Sequence, residues 1–345
     1  MDKKFLYEML STMSVSGNEQ ALEKKIYDHY KKKVDEVRTD ELSNVTAVVN
    51  PTAKFKVLLT GHADEIGLMV TNIMDNGMLK VTNIGGIYTT CYPGHKVKID
   101  AKKGIVYGAV VNTRDLAKRG DIKAKDLTID IGAKDKKDAE KRVSLGDTAT
   151  FDTEYRELLN NRITGRALDD RLGAFIVMEA VALAKKKGCK IGAYATTTTG
   201  EETTMNGAYF SASRIRPNIA IAVDVTYASD YPGVDTADTG DVRVGCGPVI
   251  CNNPSIHKIV NEKLKKAADK MKIKVQYEAA NGRTGTDGDV MHKSGIGVPF
   301  ALISIPLRYM HCPDETGSLD DVNDCIELLA EFLCECTASM NLKFY

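Results

Sequence analysis

The chain has 345 residues, enough for a large core and, by length alone, for two domains. Its 47 Lys and Arg balance 47 Asp and Glu, which argues against a partner chosen by bulk charge, whether nucleic acid or an anionic membrane. Small molecules or peptides are therefore the expected ligands.

The N-terminus, MDKKFLYEMLSTMSVSG, is charged and amphipathic, unlike the basic run and continuous apolar core of a signal peptide. No apolar stretch approaches the roughly 20 residues a helix needs to cross a bilayer, so a cytoplasmic location is expected. Phe5, Leu6, Met9 and Leu10 share one helical face. Ser16-Gly-Asn-Glu19 has the form of a capping box opening a second helix, striped by Leu22, Ile26 and Tyr30. Strands are expected at 45–49 and 54–60, and a helix over 172–187 that ends in a basic turn before Gly188.

Between 68 and 162 the texture changes to short Val- and Ile-rich runs separated by Gly, Asp75-Asn-Gly77 and Lys102-Lys-Gly104 turns. This segment is expected to be a small β-rich domain inserted into an α/β domain built from 1–67 and 163–345. Eight cysteines, Cys91, Cys189, Cys246, Cys251, Cys312, Cys325, Cys334 and Cys336, form no C-x-x-C pair, which argues against a zinc ribbon. They are expected to be reduced, with the three near the C-terminus serving as small buried hydrophobes.

Four apolar runs each end close to a residue able to hold a metal. These are 54–60 before His62 and Asp64, 191–199 before Glu201 and Glu202, 218–223 before Asp224, and 298–305 before His311. In open α/β sheets ligands bind beyond the carboxyl ends of the strands, so these positions should converge in one crevice. Asp169-Asp170, just ahead of the 172–187 helix, serves either as a helix cap or as a further ligand.

A set of two His, two Asp and one Glu suits zinc, cobalt or manganese, and five protein ligands exceed what one catalytic metal uses. Two metals sharing a carboxylate reconcile the count. In Glu201-Glu202, adjacent carboxylates repel unless a cation or shared proton intervenes, so one can ligate while the other handles protons. Asp64, two residues from His62, would hold its ring. His29, His95, His257 and His292 have no such carboxylate context and are expected to be structural or surface residues.

The motifs GHADEIG, GRALDDRLG, GEET, AVDVT, GTDGD and ISIPLRYMH follow in that order, with SVSGNE near residue 14 and PGHKVKI and TIDIGA in the insert. In this the chain resembles the dinuclear-metal aminopeptidases that assemble as tetrahedral dodecamers, a family that includes glutamyl and deblocking aminopeptidases and members labelled endoglucanase. The resemblance implies a mixed-sheet α/β/α metallopeptidase domain with an inserted β-barrel-like dimerisation domain. It implies two divalent ions per subunit, zinc or cobalt or else manganese, bridged by Asp169. His62 and Asp224 would complete one site, Glu202 and His311 the other. Glu201 would be the general base, Asp64 would orient His62, and Thr286 and Asp287 would lie near the peptide.

Departures from the family pattern fall at Thr203-Thr-Met-Asn-Gly207, at Cys312 after His311, and at Gly86-Ile-Tyr-Thr-Thr90. They leave the ligands intact and bear on substrate preference. A glycoside hydrolase is disfavoured, because the chain has no Trp on which to stack sugar rings and a metal-free carboxylate pair would leave His62 and His311 idle. The other readings are a metal-dependent deacylase and a non-catalytic scaffold; the complete ligand set speaks against the latter.

Overall fold

The computed structural model describes residues 1–345, except for the side chains of residues 238 and 239. Among the described residues, eight strands form one mixed sheet. Their order is Glu36–Thr39, Val45–Val49, Gly192–Thr198, Lys56–His62, Ile219–Tyr227, Phe300–Leu307, Val249–Asn252 and Gln276–Ala279. The four strands from Gly192–Thr198 to Phe300–Leu307 are mutually parallel, and antiparallel strands flank them on both sides. Parallel pairing points the carboxyl ends of all four metal-bearing runs toward one edge.

Alternation along the strands divides the core into two layers. Val57 and Leu59 face the cluster built with the helices Lys3–Ser11, Gln20–Tyr30, Leu168–Lys186, Lys258–Met271 and Leu319–Glu335. Leu58 points the other way, toward Ala208 and Ala212 of the helix Asn206–Ile215 and toward Met291 and Phe300. The result is the expected α/β/α arrangement. Leu168–Lys186 lies between the sheet and Leu319–Glu335, which is why nearly its whole circumference is apolar and buried.

The approach of that helix to the sheet depends on two glycines. A Cβ on Gly61 would stand 2.4 Å from the Gly173 carbonyl carbon and 2.5 Å from the Ala174 nitrogen, both backbone atoms. Strand and helix therefore touch main chain to main chain one residue before His62, and this contact brings Asp169 and Asp170 to it.

The strands Gly67–Ile73, Leu79–Ile84, Thr128–Asp130, Gly104–Val110, Lys96–Ala101 and Thr148–Phe151 close in that order into an antiparallel barrel. Its interior is filled by Leu68, Val70, Val81, Val97, Ile99 and Ile129. The Asp75-Asn-Gly77 and Lys102-Lys-Gly104 turns place Gly77 and Gly104 at φ of 83° and 105°. The Asp152 amide still donates to the Lys96 carbonyl of the barrel. Arg156–Leu158 and Arg162–Gly165 form a hairpin that pairs with Glu315–Ser318 of the α/β part.

Three local expectations change. The run before Asp224 does not stop there: Val225, Thr226 and Tyr227 continue the strand by pairing with Ile305, Pro306 and Leu307. The regular part of the 172–187 helix is preceded by Leu168, and Asp169 and Asp170 have non-helical backbone with a cis peptide between them. Glu19 occupies the position before the second helix without capping it; its carboxylate accepts the backbone N–H of Gly17 and of Gly200 instead.

All eight cysteines are free thiols; Cys325 and Cys336 are buried, whereas Cys334 is half-buried and Cys246 exposed. Among the described residues no helix is long and apolar enough to cross a membrane.

Candidate metal centre

His62 ends the strand Lys56–His62, and extending the register that pairs Thr60 with Ala222 sets Asp224 level with it on the neighbouring strand. The Asp169-Asp170 turn arrives from the helix face, the Gly200–Glu202 loop from the end of Gly192–Thr198, and His311 from the turn after Phe300–Leu307. His62, Asp169, Glu201 and Asp224 are each less than 10% exposed, a burial that is costly unless compensating charge is present or the groups shift toward their neutral forms.

Asp169 lies between the two histidines. Its Oδ1 is 3.2 Å from His62 Nε2 and its Oδ2 is 3.2 Å from His311 Nε2. Glu201 Oε2 is 3.9 Å from His62 Nε2, and Glu202 Oε1 is 3.7 Å from His311 Nε2. In both histidines the other ring nitrogen is engaged: His62 Nδ1 with the Asp64 carbonyl at 3.1 Å and His311 Nδ1 with the Gly86 carbonyl at 2.6 Å. With Nδ1 donating to a carbonyl, each ring aims Nε2 at the centre, where it donates to Asp169 and where a cation that displaced its proton would be ligated.

The Asp64 carboxylate lies beside the His62 ring, as expected for a group that orients it, and also serves the neighbouring loop. The carboxylate is 3.5 Å from Nδ1, and its oxygens accept the backbone N–H of Glu201 at 3.0 Å and of Glu202 at 3.1 Å. Together with Asn44 accepting from Thr199 and Glu19 from Gly200, four consecutive amides, 199 to 202, are each held by a buried or nearly buried polar side chain. That ladder fixes where the two glutamates point.

Glu315 does the same on the opposite side. Its Oε2 accepts from the Asp169 amide at 3.1 Å and its Oε1 from the His311 amide at 2.8 Å. Sequence reading missed this residue because its partners lie 146 and 4 positions away and are backbone atoms. Replacing Glu315 by Gln, which can accept at only one end, should weaken metal binding about 10–100-fold with the fold retained. Titration of the variant with zinc checks this, and unchanged affinity would show that the clamp is ornamental.

Asp170, for which the resemblance implies no role, also belongs to the centre. It is fully buried, accepts from the His62 amide at 3.1 Å and the Gly173 amide at 3.0 Å, and groups with His62 and Asp224 as one of two possible ligand sets among the described residues. The other set is His62, Asp169 and Glu202. Asp287 reaches the centre from its own loop through a 2.5 Å hydrogen bond accepted from the Thr198 hydroxyl, whereas the Thr286 hydroxyl is turned back onto Thr284 and Gly288. Glu201 Oε1 and Asp287 Oδ1 are buried with no hydrogen-bond partner.

The electrostatics record the crowding. Burial raises Glu202 to about 8, with repulsion from Asp169 adding to it and His62 and His311 opposing it. Burial likewise lifts Asp287 to about 6, and it pushes Glu201 and Asp224 well above the usual carboxylate range. Desolvation also disfavours the Asp169 anion, but hydrogen bonds from His311 and His62 outweigh it and hold that carboxyl low. A cluster with this surplus of oxygen donors, two imidazole Nε2 atoms turned inward onto Asp169 and two unpartnered carboxylate oxygens fits divalent cations.

The remaining histidines are packed on aromatic rings: His29 on Phe5, His95 on Phe151, His257 on Phe344 and His292 on Phe300. On the open side of the centre, the Tyr88 ring lies 6.2 Å from His311 and its hydroxyl 3.2 Å from that of Tyr227, with Tyr231 against Tyr309 nearby.

A parallel-stranded α/β/α core with histidines and carboxylates gathered at its carboxyl edge defines a metal-dependent hydrolase. Residues 43–328 match the M42 glutamyl aminopeptidase family, and the chain belongs to it. It is 31% identical to the lysyl aminopeptidase of Pyrococcus furiosus over 97% of each chain. It superposes with a TM-score of 0.91 on an aminopeptidase from the archaeon Desulfurococcus kamchatkensis, at 32% identity over 97% of this chain and 94% of that one. It also matches the TET1 peptidase of Pyrococcus horikoshii, which can assemble into a tetrahedron or a large octahedral shell. There the TM-score is 0.84 and the identity 27%, over 97% of this chain and 99% of the other. The protein is thus a peptidase of a family that uses divalent metal, with the fold of the TET aminopeptidases.

Proposed function

We propose that the chain is an aminopeptidase that holds two divalent cations, zinc, cobalt or manganese, and removes the N-terminal residue of peptides. The observation that carries this reading is the placement of one Asp169 oxygen against His62 Nε2 and the other against His311 Nε2. Asp169 would bridge the ions, His62 and Asp224 would hold one with Asp170 behind them, and Glu202 and His311 would hold the other. Bound cations supply Lewis acidity: they polarise the scissile carbonyl, acidify a water and offset the crowded negative charge.

The chain's own groups perform the proton work. Glu201 removes the proton of the attacking water at its unpartnered Oε1 and returns it to the departing amine. Asp287, whose Oδ1 is also unpartnered, accepts from the free ammonium of the peptide and so confines cleavage to the first residue. Asp64 and Glu315 are positioning residues that fix the backbone of the ligands.

The test is cleavage of a panel of peptides and aminoacyl anilides by chelated protein before and after metal return, with acylated amino acids included. Cleavage at free N-termini should vanish on chelation and return with zinc, cobalt or manganese. Undiminished cleavage by metal-free protein would refute the reading, and turnover of only the acylated compounds would make it a deacylase. Because the tyrosine rim carries no formal charge and its faces attract cations and apolar groups alike, Leu or Lys at the N-terminus should be cleaved faster than Asp.

Self-association follows the same likeness. The inserted barrel would pair subunits into dimers that build a dodecamer, as tetrahedral assembly is described for the Pyrococcus horikoshii TET1 peptidase. Sedimentation should give a particle many times the 37.7 kDa of one chain, and a monomer at micromolar concentration would exclude it.

A further inference from the structure

Two thiols that the proposed reaction does not use meet where the insert touches the metal centre. Cys91 ends the short helical turn Thr89–Cys91, and its Sγ lies 4.0 Å from Sγ of Cys312, 221 positions away in sequence. Both side chains are partly exposed, unlike the buried Cys189, Cys251, Cys325 and Cys336. Cys312 is bonded directly to His311, whose Nδ1 donates to the Gly86 carbonyl five residues before Cys91. The insert segment thus contacts the His311 turn at two points, once through an imidazole and once through a pair of sulfurs.

We propose that Cys91 and Cys312 form an oxidation site, at which a hydroperoxide-class oxidant converts the pair to a disulfide tying the insert to the His311 turn. The first thiol attacks the peroxide, the O–O bond breaks, and a sulfenic acid forms as one water leaves with the thiol proton. The second sulfur then attacks the sulfenic sulfur, the S–O bond breaks, and a second water leaves with the remaining proton. The two sulfurs give up two electrons, and one hydrogen peroxide becomes two waters.

Bonded sulfurs sit about 2.05 Å apart, so the pair must close by roughly 2 Å. The pull reaches His311 through a single peptide unit and acts on the carbonyl and carboxylate contacts, to Gly86 and Glu315, that orient it. The effect on turnover rests on the aminopeptidase reading; the linkage itself does not.

The experiment treats the full chain with hydrogen peroxide, blocks remaining thiols with an alkylating reagent, and maps the peptides by mass. Turnover is followed in parallel, with Cys91→Ser as the comparison. The expected result is a peptide joining Cys91 to Cys312, lighter by two hydrogens, and an about tenfold loss of turnover that dithiothreitol reverses. Cys91→Ser should keep its basal turnover and not respond reversibly. Recovery of both cysteines alkylated, or each oxidised separately without linkage, overturns the proposal, as does a linked protein with full turnover. Absent turnover before oxidation would count against the aminopeptidase reading, while the mass map would still decide the thiol site.

Discussion

Glu201→Gln should lower turnover by about 10²–10⁴-fold while the protein keeps its metal. The substitution preserves shape and leaves the hydrogen bond from the residue 201 backbone N–H to the Asp64 carboxylate untouched, so the loop stays in place. Glu201 belongs to neither of the ligand groups formed by the His62 and Asp169-Asp170 region, and its Oε1 is buried without a partner. What the amide cannot do is take a proton. Metal content by elemental analysis and turnover on the best substrate of the panel check the two halves together. Glu202→Gln makes the contrast: Glu202 groups with His62 and Asp169, so that variant should lose metal along with activity. A Glu201→Gln protein within a few-fold of the parent would remove Glu201 as the base.

The parts of this centre that the sequence revealed are those where chemistry and local pattern coincide. His62, Glu201, Glu202, Asp224 and His311 could be picked out because each follows an apolar run, and parallel pairing then brings such positions to one edge. The α/β/α layering and the inserted barrel were legible for the same reason, since period-2 runs and Gly turns are local signals. What was not legible acts at long range and through the backbone. Glu19 in SVSGNE has the spacing of a capping box, but the helix starts only after it and its carboxylate is shared between the amides of Gly17 and the distant Gly200. Asn44, Gly86 and Glu315 carry no motif of their own, and their value lies in which distant amide or imidazole they meet. Asp170 was hidden by its neighbour: in an Asp-Asp pair nothing local says that one faces two histidines and the other the His62 amide.

Glu65→Gln should destabilise the fold by about 3–5 kcal/mol, the cost of breaking a buried ion pair by removing one partner. Glu65 is 2% exposed and accepts from the guanidinium groups of Arg166 and Arg171. It also accepts from the Ser14 amide and from Thr150 of the barrel, while Arg171 reaches the carbonyls of Met9 and Leu10. One carboxylate therefore joins the N-terminal helix, the barrel and the helix that starts at the Asp169-Asp170 turn. Desolvation disfavours its charge, yet Arg166 and Arg171 outweigh this and hold its pKa at about 2. Against the ordinary value of 4.5 that difference corresponds to about 3 kcal/mol, in line with the pair-breaking figure. Because the folded-state pKa is depressed, this stability is present above pH 4.5 and is lost as pH falls through about 2. Urea unfolding should accordingly show the largest gap between parent and variant at neutral pH, and the gap should narrow as the medium is acidified below pH 4.5. A variant whose urea midpoint matches the parent at pH 7 would mean that the arginines find other partners. The three elements would then be held together by their apolar contacts alone.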